Sequence, residues 1–131
     1  MNRNPVGVKS CVIALTRPPR GREVLMSPPS PLPIACDFGA LSSGQRARER
    51  ALRAEFKNLL RDPRETELGF SVVIPDDPFV LSRLGEFLAL ERLCCPFLTF
   101  DLSIPAERGA MTLHIYGRPG TKSFLQSEFF L

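Results

Sequence analysis

Seven of the chain's 13 prolines fall within its first 33 residues, and this partition constrains the fold more than any other feature. Proline has no backbone donor and holds φ near one value. Ser27-Pro28-Pro29-Ser30-Pro31-Leu32-Pro33 therefore joins neither a helix nor a central strand. It reads as an extended, polyproline-like linker. Charge divides at the same place. Residues 1–33 hold five cations (Arg3, Lys9, Arg17, Arg20, Arg22) against Glu23, while residues 34–131 hold 12 cations and 13 anions. The basicity belongs to the leader, which argues against a basic nucleic-acid-binding body. With 131 residues in all, the chain suits one domain and is too short for two. The expected organisation is a proline-rich leader over residues 1–33, either disordered or supplying one edge strand from residues 11–16, and a single domain over residues 34–131.

No apolar run approaches the ~20 residues that a membrane span requires. Val12-Ile13-Ala14-Leu15, behind Arg3 and Lys9, falls short of the roughly 7–15 apolar residues of a signal peptide. Neither Cys11 nor Cys36 follows such a region, so no lipid anchor is expected either. These features predict a cytoplasmic protein with no membrane partner.

Past Pro33 the chain becomes periodic. Ser42 and Gln45 have capping-box spacing, and Leu52, Phe56 and Leu59 recur at helical intervals until Asp62-Pro63 ends the run. Arg46, Arg50, Arg53, Lys57 and Arg61, interspersed with Glu49 and Glu55, are expected on a solvated helix face or on a surface for an anionic partner. Residues 67–74 alternate as a half-buried strand, with Leu68, Phe70, Val72 and Ile74 facing inward. Asp77 and Pro78 have the chemistry of an N-cap and first helical position. They open a second helix that Pro96 closes at Cys94 or Cys95. Residues 97–104 and 110–116 alternate again around Pro105-Ala106-Glu107-Arg108-Gly109, which predicts a hairpin. A short final helix carries Phe124, Leu125, Phe129 and Phe130; with Leu131 this apolar end either closes the core or forms a homodimer interface. The order helix–strand–helix–strand–strand–helix predicts an α+β, two-layer fold of partly ferredoxin-like arrangement. Its sheet is expected to be mixed, with three strands or four if residues 11–16 contribute. The strands flanking the second helix are expected to be parallel, and the helices to cover one face.

The chemistry concentrates at the end of the second helix. Cys94 and Cys95 are adjacent, and neighbouring cysteines close a disulfide only through a strained eight-membered ring. In a reducing compartment such thiols stay free or share a soft ion. Structural zinc sites prefer cysteine pairs separated by two to four residues. Hg(II), As(III) or Cu(I) therefore suit this pair better than Zn(II). At about 100° per residue, Glu91 falls in the middle of the apolar arc formed by Leu84, Phe87, Leu88, Cys94 and Cys95. A carboxylate buried there without a partner would be costly. Three readings stay open: an ion pair with Arg48 of the first helix, a base or ligand beside the thiols, or a helix end open to solvent. Cysteine is also a common core filler. The rival to a metal site is thus a non-enzymatic interaction module with structural cysteines.

Glu91-Arg92-Leu93-Cys94-Cys95-Pro96-Phe97, followed by Leu98-Thr99-Phe100, resembles the signature of a small bacterial protein family of uncharacterised activity. Members of that family carry a Glu-Arg-x-Cys-Cys-Pro-Phe block. The resemblance includes a cysteine shortly before the first helix, matched by Cys36, and a Gly-x-x-Gly-x-Lys-x-Phe ending, matched by Gly117, Gly120, Lys122 and Phe124. It spans roughly residues 35–130. Some members sit near mercury or heavy-metal resistance genes, so the resemblance implies a thiophilic ion as partner. With Cys36 returned to the end of the second helix, the expected ligand set is Cys94, Cys95, Cys36 and Glu91.

Other catalytic signals are weak. His114, the only histidine, is expected opposite Asp101 on the wet face of the sheet, away from the thiols. The chain has no Walker loop, dinucleotide fingerprint, zinc-protease helix or nucleophile elbow. A Cys-x-x-Cys redox spacing is missing too. A non-enzymatic role is expected.

Overall fold

The computed structural model describes residues 33–130. A 3₁₀ turn over Phe38–Ala40 leads to helix α1, Ser43–Leu59. Strands β1 (Arg61–Glu65) and β2 (Gly69–Ile74) follow, then helix α2 (Pro78–Cys94). Strands β3 (Thr99–Ser103) and β4 (Met111–Tyr116) form the hairpin. Helix α3, Thr121–Leu125, continues as a π-helical turn over Gln126–Phe130.

The helix starts form as their sequences dictate. The Ser42 hydroxyl accepts from the Gln45 N–H while the Gln45 side chain accepts from the Ser42 N–H, so two orphan donors are satisfied reciprocally. Asp77 accepts from the Phe79 and Val80 N–H groups, with Pro78 in the first turn.

The fold is α+β, as expected, but the sheet is not the mixed one expected with three strands, or four with residues 11–16. Among the described residues it has four strands in the order β1-β2-β4-β3, and every pairing is antiparallel. β2 and β3 do run the same way, because each is antiparallel to β4. They are not neighbours: β4 folds back between them, the split form of a βαβ unit. The fourth strand is β1, formed where the sequence predicted only the end of the first helix. Pro63 stops the helix yet is tolerated in an edge strand, where a missing N–H breaks no ladder bond. Asp62 at φ 48° and a register shift between Arg61 and Arg64 absorb the irregularity. The strand expected from residues 11–16, and Cys11 with it, lie outside the described residues.

The core lies on one face of the sheet. Phe70, Val72 and Ile74 of β2 and Met111, Leu113 and Ile115 of β4 point into it. Opposite them sit Leu52 and Phe56 of α1 and Val80, Leu84 and Phe87 of α2. Leu125 and Phe129 are also buried, so the C-terminal apolar end closes this core. Three residues expected inward are exposed. Leu68 precedes β2, and Leu102 and Ile104 lie on or beyond edge strand β3, where less of the molecule covers them. On the other face, Asp101 pairs in register with His114 as predicted. His114 also meets the Thr66 hydroxyl at 2.9 Å and stacks on Tyr116. Among the described residues no helix is long and apolar enough to cross a membrane.

Candidate metal centre

Helix α2 ends at the site because Pro96 cannot continue it. Cys95 is its C-cap, with its N–H still bonded to the Glu91 carbonyl at 2.7 Å. The last carbonyls of a helix lack intrahelical partners. One of them, at Cys94, accepts from the Asp37 N–H at 2.6 Å. That bond pins the segment before α1 against the end of α2 and delivers Cys36 to the pair. Cys36 and Cys95 sulfurs lie 2.8 Å apart, and those of Cys94 and Cys95 3.7 Å apart. The Cys94 thiol donates toward Glu91 Oε2 at 3.8 Å. One ligand atom each from Glu91, Cys94 and Cys95 falls within 4.8 Å of the others, all three residues being buried. Cys36 is half-buried and forms the side of the cluster nearest solvent. All four residues singled out in the sequence therefore meet.

The partner of Glu91 differs from expectation. Arg48 turns outward in a bidentate pair with Glu86. The cation at the site is Arg53, one of the arginines expected on a solvated face; its side chain is only 13% exposed. Its Nε donates to Glu49 at 2.7 Å and its Nη1 to Glu128 at 2.9 Å. Its Nη2 reaches Glu91 at 3.4 Å and Cys36 at 3.5 Å. The guanidinium also lies 4.9 Å from the centre of the Phe129 ring, within cation–π range. Arg53, Glu49 and Glu128 were missed as site residues, but α1 carried a signal. Glu49, Leu52, Arg53 and Phe56 have the spacing i, i+3, i+4, i+7, which puts the ion pair on the same face as the two core residues. Charge alone points to exposure, and a guanidinium able to satisfy three carboxyl groups overrides that rule.

Electrostatics divide the proton inventory. Burial, then the neighbouring Glu49, pushes the Glu91 carboxyl up to about 8 despite Arg53. The neighbouring Cys94 and Cys95 thiols, then Arg53, hold the Cys36 thiol well below its ordinary value against the effect of burial. The proximity of Cys36 in turn holds the Cys94 and Cys95 thiols up. These shifts favour the thiolate form at Cys36, the most exposed sulfur, and the neutral form at the Glu91 carboxyl.

The signs of these two shifts oppose each other. Glu91, ordinarily near 4.5, contributes stability that is complete below that value and fades as pH rises through about 8. Cys36, ordinarily near 9.0, contributes stability that is complete above that value and is lost as pH falls. Between about pH 5 and pH 8 the two slopes oppose each other. Urea unfolding of the reduced protein is therefore expected to show a weaker pH dependence across that window than the Glu91 shift alone would give. Cys36→Ser removes one slope, and the variant is expected to lose about 2–4 kcal/mol on going from pH 5 to pH 8. A Cys36→Ser profile as flat as the parent's would contradict the assignment of the proton to Glu91.

A shallow cleft of about 320 Å³, lined by Phe38, Arg46, Glu49, Arg50 and Arg53, opens beside the cluster. In comparisons with known proteins, the chain matches no family model, no curated protein and no solved structure.

Proposed function

We propose that the protein binds a soft metal or metalloid ion through Cys94, Cys95 and Cys36, with Glu91 beside the ion. The observation that carries this reading is the convergence of three sulfurs and a carboxyl from two separate segments, at Sγ–Sγ distances of 2.8 and 3.7 Å. Soft sulfur donors select thiophilic ions, and a set of two or three thiolates suits Hg(II), As(III) or Cu(I) better than the four-ligand cage of structural Zn(II). Cys36, half-buried beneath the guanidinium of Arg53, is the entry side. Binding displaces the protons of Cys94 and Cys95, since thiols ligate as thiolates. The ion is cargo on this reading: it is buffered, carried or sensed, and no reaction is performed on it. A reducing cytoplasm keeps the three thiols available. The resemblance of residues 91–97 to a bacterial family, some members of which sit near heavy-metal resistance genes, supports the same reading.

A second reading takes the cysteines as core filler of an interaction module. The observation favouring it is that Cys94 and Cys95 have no exposed surface at all.

Native mass spectrometry of the reduced full chain with Hg(II), As(III) and Zn(II) separates the two. The metal reading expects one thiophilic ion per chain, lost in a folded Cys94→Ser/Cys95→Ser variant and weakened in Cys36→Ser. Absence of binding, with thiols that react only after denaturant is added, would establish the core-filler reading instead.

A further inference from the structure

The same three sulfurs are unequal in a way that metal binding does not require. Cys36 and Cys95 are 2.8 Å apart, inside the contact distance of two unbonded sulfurs, whereas Cys94 stands 3.7 Å from Cys95. A disulfide needs the two sulfurs to close to about 2.05 Å, so the first pair has less than an ångström to travel. The vicinal pair has farther to go and would close a strained ring. The backbone bond from Asp37 to Cys94 prevents the Cys36 segment from drifting away. Accessibility is unequal too: Cys36 is half-buried while Cys95 has no exposed surface. An oxidant arriving from solvent therefore meets Cys36 first, beside the positive charge of Arg53.

From this arrangement we infer that Cys36 and Cys95 form a hydroperoxide-responsive pair, with Cys36 the sulfur attacked first and Cys95 the resolving thiol. In the first step the Cys36 sulfur attacks one peroxide oxygen. The S–O bond forms, the O–O bond breaks, and the departing oxygen leaves as hydroxide, which becomes water by taking up one proton, the equivalent of the one Cys36 gives up on ionising. Cys36 is then a sulfenic acid, oxidised by two electrons, and the peroxide is reduced. In the second step the Cys95 sulfur attacks the Cys36 sulfur. The S–S bond forms, the S–O bond breaks, and hydroxide leaves with the Cys95 proton as a second water. Two thiols and one hydrogen peroxide give one disulfide and two waters. Only Cys94 then remains free among the described cysteines, so oxidation dismantles the three-sulfur set.

This inference goes beyond the metal reading and is tested without metal. The reduced, metal-free full chain is treated with one equivalent of hydrogen peroxide, blocked with a thiol reagent, digested and mapped by tandem mass spectrometry with fragmentation between residues 94 and 95. The expected product is a Cys36–Cys95 crosslink with the Cys94 thiol blocked. Cys94→Ser is expected to form the bond at a similar rate. Cys95→Ser is expected to slow any Cys36 crosslink by roughly two orders of magnitude, because the preset contact is gone. A Cys94–Cys95 bond, a Cys36–Cys94 bond, a crosslink through Cys11, or Cys36 accumulating as sulfinic acid would each overturn the inference. The mapping of the parent alone decides the pairing even if a variant does not fold. A chain that forms this bond but takes up no Hg(II) overturns the metal reading only. Uptake of Hg(II) without the bond overturns this inference only.

Discussion

Arg53→Ala is expected to cost about 3–5 kcal/mol of folding stability, the range for removing one partner of a buried charge pair. Among the described residues, the guanidinium is the only group with charge-assisted donors to Glu49, Glu128 and Glu91 together. Glu49 is 2% exposed and Glu91 0%, so neither can recover its hydration when the cation goes. Most of the penalty falls on Glu49, which holds the shortest bond at 2.7 Å. Burial and Glu49 already favour the neutral form of Glu91. The alanine also loses the stacked contact on Phe129. Against a total stability of about 5–15 kcal/mol for a domain of this size, the loss is severe. Urea denaturation at neutral pH measures it. Arg53→Leu combined with Glu49→Gln removes the stranded charge as well as the cation and is expected to recover most of the loss. Arg53→Lys falls between, since one ammonium cannot span the same acceptors. A cost below about 1 kcal/mol for Arg53→Ala would mean that the carboxylates are solvated in a way their burial denies.

Gly69→Ala is expected to be comparably damaging for a different reason, steric rather than electrostatic. Gly69 opens β2 and pairs with Tyr116 in the central β2–β4 ladder. A Cβ there would run into the Ile115 carbonyl oxygen and lie 2.7 Å from the Tyr116 Cα. Both are backbone atoms of a strand that is paired on its two sides, so neither can yield without disturbing β3 as well. The expected loss is about 3 kcal/mol, the upper part of the range for overpacking. Gly85→Ala serves as the internal control. Gly85 lies on the exposed side of α2 with nothing within 4 Å of an added Cβ. There the change relieves the entropic cost of glycine in a helix and is expected to stabilise by about 0.5–1 kcal/mol. Equal effects at both positions would show that the close approach of β2 to β4 is not what demands glycine at position 69.

These two expectations mark the limit of sequence reading from opposite sides. Gly69 looked like one member of the outward set in an alternating strand. Nothing along the chain says that another backbone comes within reach of it. Arg53 looked like one charge among many on α1. Its burial depends on Phe129 and Glu128, more than 70 residues away in sequence. Neighbour distances along a helix are local knowledge; close approach between elements is not.

What the sequence determined by itself was local in origin. Capping of α1 and α2, the stop at Pro96, the alternation of β2 and β4 and the inward position of Glu91 follow from φ/ψ restrictions and from periods of 2 and 3.6 residues. Each concerns atoms a few bonds apart, so each was readable in order along the chain. The hairpin register that sets Asp101 opposite His114 belongs to the same class, because a short loop transmits it. Only the tertiary structure decided that β4 enters between β2 and β3, and that Pro63 lies in an edge strand instead of a loop. It alone chose Arg53 over Arg48 as the cation beside Glu91, and Cys95 over Cys94 as the nearest sulfur to Cys36. Those outcomes depend on which surfaces meet once the core has closed. The free energy of that closure is summed over burial from every element at once, and no single stretch of the chain contains it.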